Sequence, residues 1–464
     1  MSTAEKAVIE DSEIQTLVAK ARKAQAIFEE FTQEQVDAIC RDMAKYVYDN
    51  AEMLARKAVD ETGIGNYEDK VLKKKGKARV IWNNLKDKKS RGIIGEDPET
   101  GLTLVAKPMG VVGAVTPVTN PVSTPMCNAL FAIKTGNAVI FASHPKAQGC
   151  AELLTDEFMK IVKKHGGPDD LIQTVKNGSV EKTKELMASV DVVVATGGPG
   201  MVKSAYSSGK PSYGVGAGNV PVIIDRGVDL KDAIDKIVAG ASFDHGIICS
   251  HEQFVLAPEE QYEETIKLFG ATGKVWFTDD KEKIQKIRET VFPDGQLNKE
   301  VVGRSAHEVG KMAGIDEVPE DARLILVPAE GAGHDDLLAK EKLCPVVAIL
   351  PYRDFSEAVQ KAKANLLVEG AGHSAAVHSN DDQHIREAGV GLPVSRLVVN
   401  QPSSLTAGGS LTNGFAPTTT LGCGSWGGNS ISENLDYKHL MNVSRIGRVI
   451  ENKPVPTDEE IFAP

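Results

Sequence analysis

Asp191-Val-Val-Val-Ala-Thr-Gly-Gly-Pro-Gly200 decides the architecture: a β-branched run, a glycine-rich turn, then a helical segment from Met201 to Ser207. An apolar run without polar alternation fits a strand buried on both faces, and such strands belong to parallel sheets covered by helices. Working outward, the same grammar recurs. Val111-Val-Gly-Ala-Val, Ala138-Val-Ile-Phe, Leu171-Ile-Gln-Thr-Val and Val220-Pro-Val-Ile-Ile are further runs, with helices predicted over 151–164 and 180–189. Strands alternating with helices give an α/β class with a doubly wound parallel sheet, a nucleotide-binding outline. Amides at the start of the 201–207 helix can hold a phosphate, or Gly197 to Gly200 is a tight turn and no more.

A second α/β unit follows, with predicted strands at Gln253-Phe-Val-Leu, Leu324-Ile-Leu-Val, Val346-Val-Ala-Ile-Leu and Leu397-Val-Val-Asn. The expected division is 1–235 for the first domain, 236–432 for the second and 433–464 for a returning C-terminal segment. Glu10 to Gly63 reads as helical, with apolar residues every three or four positions and Gly63 as the stop. Asp97-Pro-Glu-Thr-Gly101 is turn chemistry between two strand-like runs, so a surface β-hairpin is expected near 91–108. Gly391 to Gly428 is rich in Gly, Ser, Thr, Asn and Pro, yet apolar positions punctuate it, which favours ordered loops lining something.

The 464 residues suit about three domains or two large ones, and 41% hydrophobic with 25% charged residues is a globular composition. Its 53 lysines and arginines against 64 acids leave a net charge of −11, which argues against a nucleic-acid partner. No apolar stretch approaches the roughly 18 residues of a membrane span. Met1-Ser-Thr-Ala-Glu-Lys6 lacks the layout of a signal peptide, so the expectation is a cytoplasmic protein with no membrane partner. The six cysteines are scattered and form no C-x-x-C pair, so neither a disulfide scaffold nor structural zinc is expected.

Gly422-Cys-Gly-Ser-Trp-Gly427 fits G-x-G-x-x-G formally, but a Thr-rich loop rather than a strand precedes it, and it reads as a coincidence. Cys249, in Phe243-Asp-His-Gly-Ile-Ile-Cys-Ser-His-Glu-Gln253, is either a core residue beside Ile247 and Ile248 or a sulfur presented at the end of a loop. The preceding glycine and the polar run after it favour the loop. His245, His251, His373 and His378 match no standard zinc spacing, and no metal is expected.

These motifs together resemble the aldehyde dehydrogenase superfamily, and within it the coenzyme A-acylating members. The resemblance is carried by Thr116-Pro-Val-Thr-Asn-Pro121, Ala195-Thr-Gly-Gly-Pro-Gly-Met-Val202, Gly214-Val-Gly-Ala-Gly-Asn219 and Gly246-Ile-Ile-Cys-Ser250. It continues through Glu341-Lys-Leu-Cys-Pro-Val346, Gly370-Ala-Gly-His-Ser374 and Thr420-Leu-Gly-Cys-Gly-Ser-Trp-Gly-Gly-Asn-Ser430, in family order over most of the chain. Asp87-Lys-Lys and Arg396-Leu-Val-Val-Asn-Gln-Pro402 look most like acylating succinate-semialdehyde dehydrogenases, with the sulfoacetaldehyde enzymes close behind.

The resemblance implies an aldehyde dehydrogenase-like fold with a cofactor-binding domain, a catalytic domain and an oligomerisation hairpin, assembled as a homodimer or homotetramer. It implies Cys249 as the nucleophile, attacking the aldehyde carbon as a thiolate. Asn120 and the Cys249 backbone N–H would hold the oxyanion, unless Asn120 is only a turn residue before Pro121. Hydrolytic relatives carry a water-activating Glu at the position of Val215. A valine takes no proton, so the acyl-enzyme would wait for the coenzyme A thiol. A non-acylating enzyme, an inactive scaffold subunit and an acyltransferase without redox chemistry are the rival readings.

Thr116, Pro117, His144, Pro145, Lys146, Gly197, Gly198, Gly216 and Glu341 fall on cofactor-binding positions of the family. Many NAD-specific relatives have a Glu where this chain has Ala147, so NADP is the expected cofactor with NAD possible; Lys146 either assists or is a solvated charge. His373 is either the acceptor of the coenzyme A thiol proton or a structural hydrogen bond. Arg396 is either the anchor of a distant substrate anion, helped by Ser403 and Ser404, or the partner of an internal carboxylate. His245 and His251 stand where relatives commonly have Asn and Ser or Ala; either a positive or proton-shuttling imidazole there depresses the Cys249 pKa, or the change marks altered specificity. Succinic semialdehyde is the expected substrate, with sulfoacetaldehyde, acetaldehyde and propionaldehyde as alternatives.

Overall fold

The computed structural model describes residues 12–451 and 453–464. The stretch Met1-Ser-Thr-Ala-Glu-Lys6 and the helix start expected at Glu10 lie outside the described residues. Four helices open the fold: α1 (Glu13–Phe28), α2 (Gln33–Asp49), α3 (Ala51–Thr62) and α4 (Tyr67–Leu85). Gly63 ends α3 in the left-handed region at φ 69°, which costs a glycine nothing. The Asn66 side chain caps α4 by accepting from the Asp69 N–H at 2.9 Å.

The hairpin β1 (Gly92–Asp97) and β2 (Leu102–Pro108) follows, at the expected place. The first parallel sheet takes β3 (Val111–Thr116), β4 (Ala138–Ser143), β5 (Ile172–Thr174), β6 (Val192–Ala195) and β7 (Ser212–Gly214), in the order β5-β4-β3-β6-β7. Every residue of β3 and β6 is buried, as their unbroken β-branched runs require. The chain reverses direction across the sheet beside β3, so a crevice opens at the carboxyl ends of β3, β4 and β6. Helix α5 (Ser123–Lys134) links β3 to β4 and is buried along its whole length.

The second parallel sheet has seven strands: β8 (Val220–Ile224), β9 (Glu252–Pro258), β10 (Val275–Phe277), β11 (Leu324–Pro328), β12 (Val346–Tyr352), β13 (Gly372–His378) and β14 (Val394–Val399). Their order is β10-β11-β12-β9-β8-β13-β14. The last strand, β15 (Met441–Gly447), returns to pair antiparallel with β2.

One boundary differs from the sequence reading. Val220-Pro-Val-Ile-Ile, counted there with the first unit, is β8 and lies between β9 and β13, so the second unit begins near residue 220 rather than 236. An apolar run shows that a strand is buried, not which sheet accepts it. β7 and β10 have three residues each and leave no periodic signal. β13 carries two histidines and a serine yet is buried at every position, so no hydrophobic pattern announces it.

Candidate active site

The segment bearing Cys249 bridges the helix Leu230–Ser242 and β9. After the helix the backbone turns through Asp244 (φ 51°) and His245 (φ 55°), both left-handed and neither glycine. Such a conformation costs roughly 1–2 kcal/mol per residue and persists only where the surroundings impose it. Here they do. Asp244 is fully buried; its Oδ1 accepts the Asn66 N–H at 2.8 Å, its Oδ2 pairs with Lys70 at 3.1 Å and with Lys73, and its own N–H donates to Asp69 at 2.8 Å. Burial pushes the Asp244 carboxyl up, but Lys73, Lys70 and the Asn66 amide outweigh it and hold the group below its usual range. Gly218 passes so close that a Cβ there would lie 1.7 Å from the Cys249 carbonyl oxygen.

Cys249 is half-buried and opens on a cavity of about 290 Å³. The walls come from α4 (Leu72, Val80), from Phe243 and Ile248 beside the nucleophile, and from the loops that carry Leu405 and Leu421. Among the described lining residues the only ionised side chains are Lys73 and Lys77. Lys77 donates to the carbonyls of Gly408 (2.8 Å) and Thr418 (3.1 Å), which leaves one of its three N–H bonds uncommitted; burial pushes its pKa down to about 8. Lys73 donates to Asp244 and, at 2.7 Å, to Oδ1 of Asn120, which also lines the cavity.

Sequence reasoning missed these lysines. Lys70, Lys73, Lys74 and Lys77 share one face of α4, and the first three are less than a tenth exposed. A run such as Leu72-Lys-Lys-Lys-Gly-Lys77 reads as a solvated surface, and Lys75, half-exposed beside Glu52, behaves that way. The signal lay in phase: positions 70, 74 and 77 continue the stripe of Ala78, Ile81 and Leu85, which is the buried side of the helix.

The thiol is not activated by its surroundings. Burial, then the neighbouring Glu341, push the Cys249 pKa up to about 12. The expectation that a charged imidazole depresses it is therefore corrected. Burial holds both histidines below the usual imidazole range, His251 at about 4; His245 is bonded to the Gly303 carbonyl at 3.2 Å and His251 to the Ile248 carbonyl at 2.7 Å. Val215, 5% exposed, belongs to the apolar cluster against which Cys249 packs.

Of the sequence-selected cofactor positions, Thr116, Pro117, His144, Pro145, Gly197 and Gly198 line one cleft of about 380 Å³ at the carboxyl ends of β3, β4 and β6. Gly198 caps the helix Pro199–Tyr206 and a Cβ on it would meet nothing within 4 Å; the Met201 and Val202 N–H groups turn back to the Gly198 carbonyl, at 2.9 and 3.2 Å, so the Gly200 N–H is the donor left at the helix start. That open space and the positive end of the helix fit a dinucleotide's phosphates. Lys146 stands exposed at the rim, and burial with the charges of Lys146 and Lys299 lowers the His144 pKa, so two ammoniums face that end. Gly216 lies in a separate cleft with Trp426 and Glu369. Glu341 sits beside Gly218, accepting its N–H at 3.0 Å; burial, then Glu369, raise its pKa well above the carboxylate range.

Of the remaining selected residues, Ser404 alone lines the cavity. His373 is buried, its Nδ1 bonded to Ser374 Oγ at 3.1 Å and its Nε2 without a partner among the described residues; burial, then the Arg396 charge, keep it neutral. Arg396 is 2% exposed and meets no carboxylate and no cavity wall: its donors go to the carbonyls of His373 (2.7 Å), Gly422 (2.9 Å) and Gly372 (3.4 Å), to Asn434 (3.2 Å) and to Ser374 (3.3 Å). Ser404 lines the cavity but donates to the Gly240 carbonyl at 2.8 Å, and Ser403 is buried outside it. Gly422 to Gly427 is a loop ending in a single 3-10 turn, without the strand and helix of a phosphate-binding unit. Among the described residues no group of three or more His, Cys, Asp and Glu side chains could hold a metal, and no helix is long and apolar enough to cross a membrane.

Comparison with known proteins adds an independent line. The sequence model of the aldehyde dehydrogenase family matches residues 2–288. The succinate-semialdehyde dehydrogenase (acetylating) of Clostridium kluyveri is 53% identical over 449 residues, covering 97% of this chain and 98% of its own. A sulfoacetaldehyde dehydrogenase from an Acholeplasma species is 40% identical, covering 96% and 92%. Among solved structures, an acetylating aldehyde dehydrogenase from Geobacillus thermoglucosidasius superposes with a TM-score of 0.90 at 36% identity, over 96% of this chain and 98% of that one.

Proposed function

The chain belongs to the aldehyde dehydrogenase family, and from that premise we propose that it couples oxidation of an anionic aldehyde to formation of its coenzyme A thioester. The foremost reaction is succinic semialdehyde, coenzyme A and NADP⁺ to succinyl-CoA, NADPH and a proton, run in either direction. The observation that carries the substrate class is the cavity itself. It is largely apolar, faces the nucleophile and, among its described lining residues, is charged only by Lys73, which Asp244 and Asn120 already occupy, and by Lys77, which has a donor to spare. An ammonium in such a place is desolvated, and a carboxylate at the far end of the substrate repairs that deficit where a neutral aldehyde cannot. A sulfonate satisfies the same ammonium, so sulfoacetaldehyde is the second reading.

In this proposal the Cys249 thiol gives up its proton to solvent, the minor thiolate adds to the aldehyde carbon, and the oxyanion is held by the Asn120 amide and the Cys249 N–H. The nicotinamide, when bound, supplies the hydride acceptor. Val215 offers water no base, so the thioester persists until the coenzyme A thiol arrives; the free Nε2 of His373 is the acceptor proposed for that thiol's proton. Glu341 is assigned to the nicotinamide ribose, and Gly197 and Gly198 to the pyrophosphate. The rim ammoniums of Lys146 and Lys299, with no carboxylate at Ala147, favour the 2′-phosphate of NADP. The ribbon of β1, β2 and β15 is the proposed contact with a second copy in a cytoplasmic dimer or tetramer, against which a monomeric sedimentation mass would count.

The test is reduced-nicotinamide formation by purified protein with succinic semialdehyde, sulfoacetaldehyde and butanal, each with and without coenzyme A and with NAD or NADP. Sustained turnover only with coenzyme A, best on an anionic aldehyde, is the expected result. Equal rates without coenzyme A would overturn the acylating reading, and a preference for butanal would overturn the role of Lys77.

A further inference from the structure

An oxyanion site works only if its donors point at the oxygen before the reaction begins, and a side-chain amide can present either end. Asn120 follows β3 and borders the cavity. Its Oδ1 accepts from Lys73 Nζ at 2.7 Å, while its Nδ2 has no partner among the described residues. An ammonium carries three donors and no acceptor, so the reverse orientation would set N–H against N–H. The direction of the Asn120 amide is thus dictated by Lys73. Lys73 is fixed in turn by Asp244, which lies five residues before Cys249 and stands in the left-handed turn that aims the nucleophile segment.

We propose that Lys73 is a positioning residue of the oxyanion site: it turns the Asn120 amide nitrogen toward the cavity, and its pairing with Asp244 ties that amide to the segment that supplies the Cys249 N–H. One buried carboxylate thereby registers both donors, one carried by the β3–α5 connection and the other by the second domain. The ammonium also polarises the amide it grips, which strengthens the N–H groups on the opposite end. Lys70 makes the arrangement self-sufficient. It supplies Asp244 with a second cation, so the turn does not depend on Lys73 alone. The inference rests on the reading of Asn120 as an oxyanion donor.

The test is a double-mutant cycle on the full-length protein with NADP, the anionic aldehyde and saturating coenzyme A. Asn120→Ala, Lys73→Met and the double variant are compared by the rate of the first-turnover burst of reduced nicotinamide, by apparent aldehyde affinity and by thermal midpoint. Loss of one oxyanion donor slows the chemical step on the order of 10²–10³-fold. Lys73→Met is expected to slow the burst about 10-fold or more, with aldehyde affinity nearly unchanged, and to cost nothing further in the Asn120→Ala background. A burst unaffected by Lys73→Met, or losses that multiply in the double variant, would overturn the positioning role. A burst unaffected by Asn120→Ala would instead overturn the assignment of Asn120. If Lys73→Met fails to fold, Lys73→Gln, which also removes the ammonium while Lys70 keeps Asp244 paired, takes its place in the same cycle, and the same two outcomes decide.

Discussion

The cleft at the ends of β3, β4 and β6 and the cavity behind Cys249 handle charge in opposite ways. The cleft offers glycines, a helix N-terminus and an exposed rim that carries the Lys146 ammonium, all in contact with water. The cavity withdraws its cations from water and holds them with carbonyls and one carboxylate: Lys77 on Gly408 and Thr418, Lys73 on Asp244. A rim charge is screened and contributes little per group, whereas a buried one acts at full strength and must be satisfied at all times. One molecule thus has a tolerant end and an exacting end.

The largest expected effect probes how shielded the exacting end is. With the Cys249 pKa raised, its reactive thiolate grows tenfold per pH unit throughout the accessible range. Alkylation of Cys249 by iodoacetamide, followed by peptide mass spectrometry, is expected to accelerate about 10³-fold between pH 7 and pH 10 in the cofactor-free protein, without a plateau. A plateau near neutrality would show an activated thiolate and erase the contrast. Next comes Lys77→Met. Loss of a buried charge-assisted contact of about 1.5–3 kcal/mol lowers kcat/KM for succinic semialdehyde roughly 10- to 100-fold while sparing butanal; equal losses on both aldehydes would remove Lys77 from substrate recognition. The smallest effect belongs to the rim. Lys146→Ala is expected to raise the NADP KM only about 2- to 5-fold and to leave NAD unchanged, as measured by paired titrations; a loss of a hundredfold would mean the rim is as demanding as the interior.

The same contrast explains what the sequence disclosed. Around Gly197 and Gly198 the strand, glycine turn and helix start are consecutive in the chain, so local context offered a phosphate site or a tight turn, while Thr116 entered only through the resemblance; the three line one cleft. Cys249 was singled out by the resemblance, and it lines the cavity. The lysine face was not, because its meaning depends on what packs against α4: loops around 408 and 418 and the turn at Asp244, all more than 150 residues away. Arg396 shows the converse. Isolated in a strand, an arginine invites an anion, but the carbonyls of Gly372, His373 and Gly422 that consume its donors become visible only once β13 and β14 are paired. Conformation at Asp244 and His245 was equally hidden, since neither residue type announces a left-handed backbone.

The return of β15 to β2 has a consequence for biosynthesis. Pro108 and Asn442, bonded across that ladder, are separated by 334 residues. At about 5–20 residues per second, translation leaves β2 waiting roughly 17–67 s for its partner. Through that interval Leu102, Leu104 and Ala106 stand on an unpaired edge beside β1 alone, a template for any extended chain that passes. Chaperone demand during expression should therefore centre on this ribbon rather than on either catalytic sheet, and a nascent chain arrested before Met441 should be the form that aggregates.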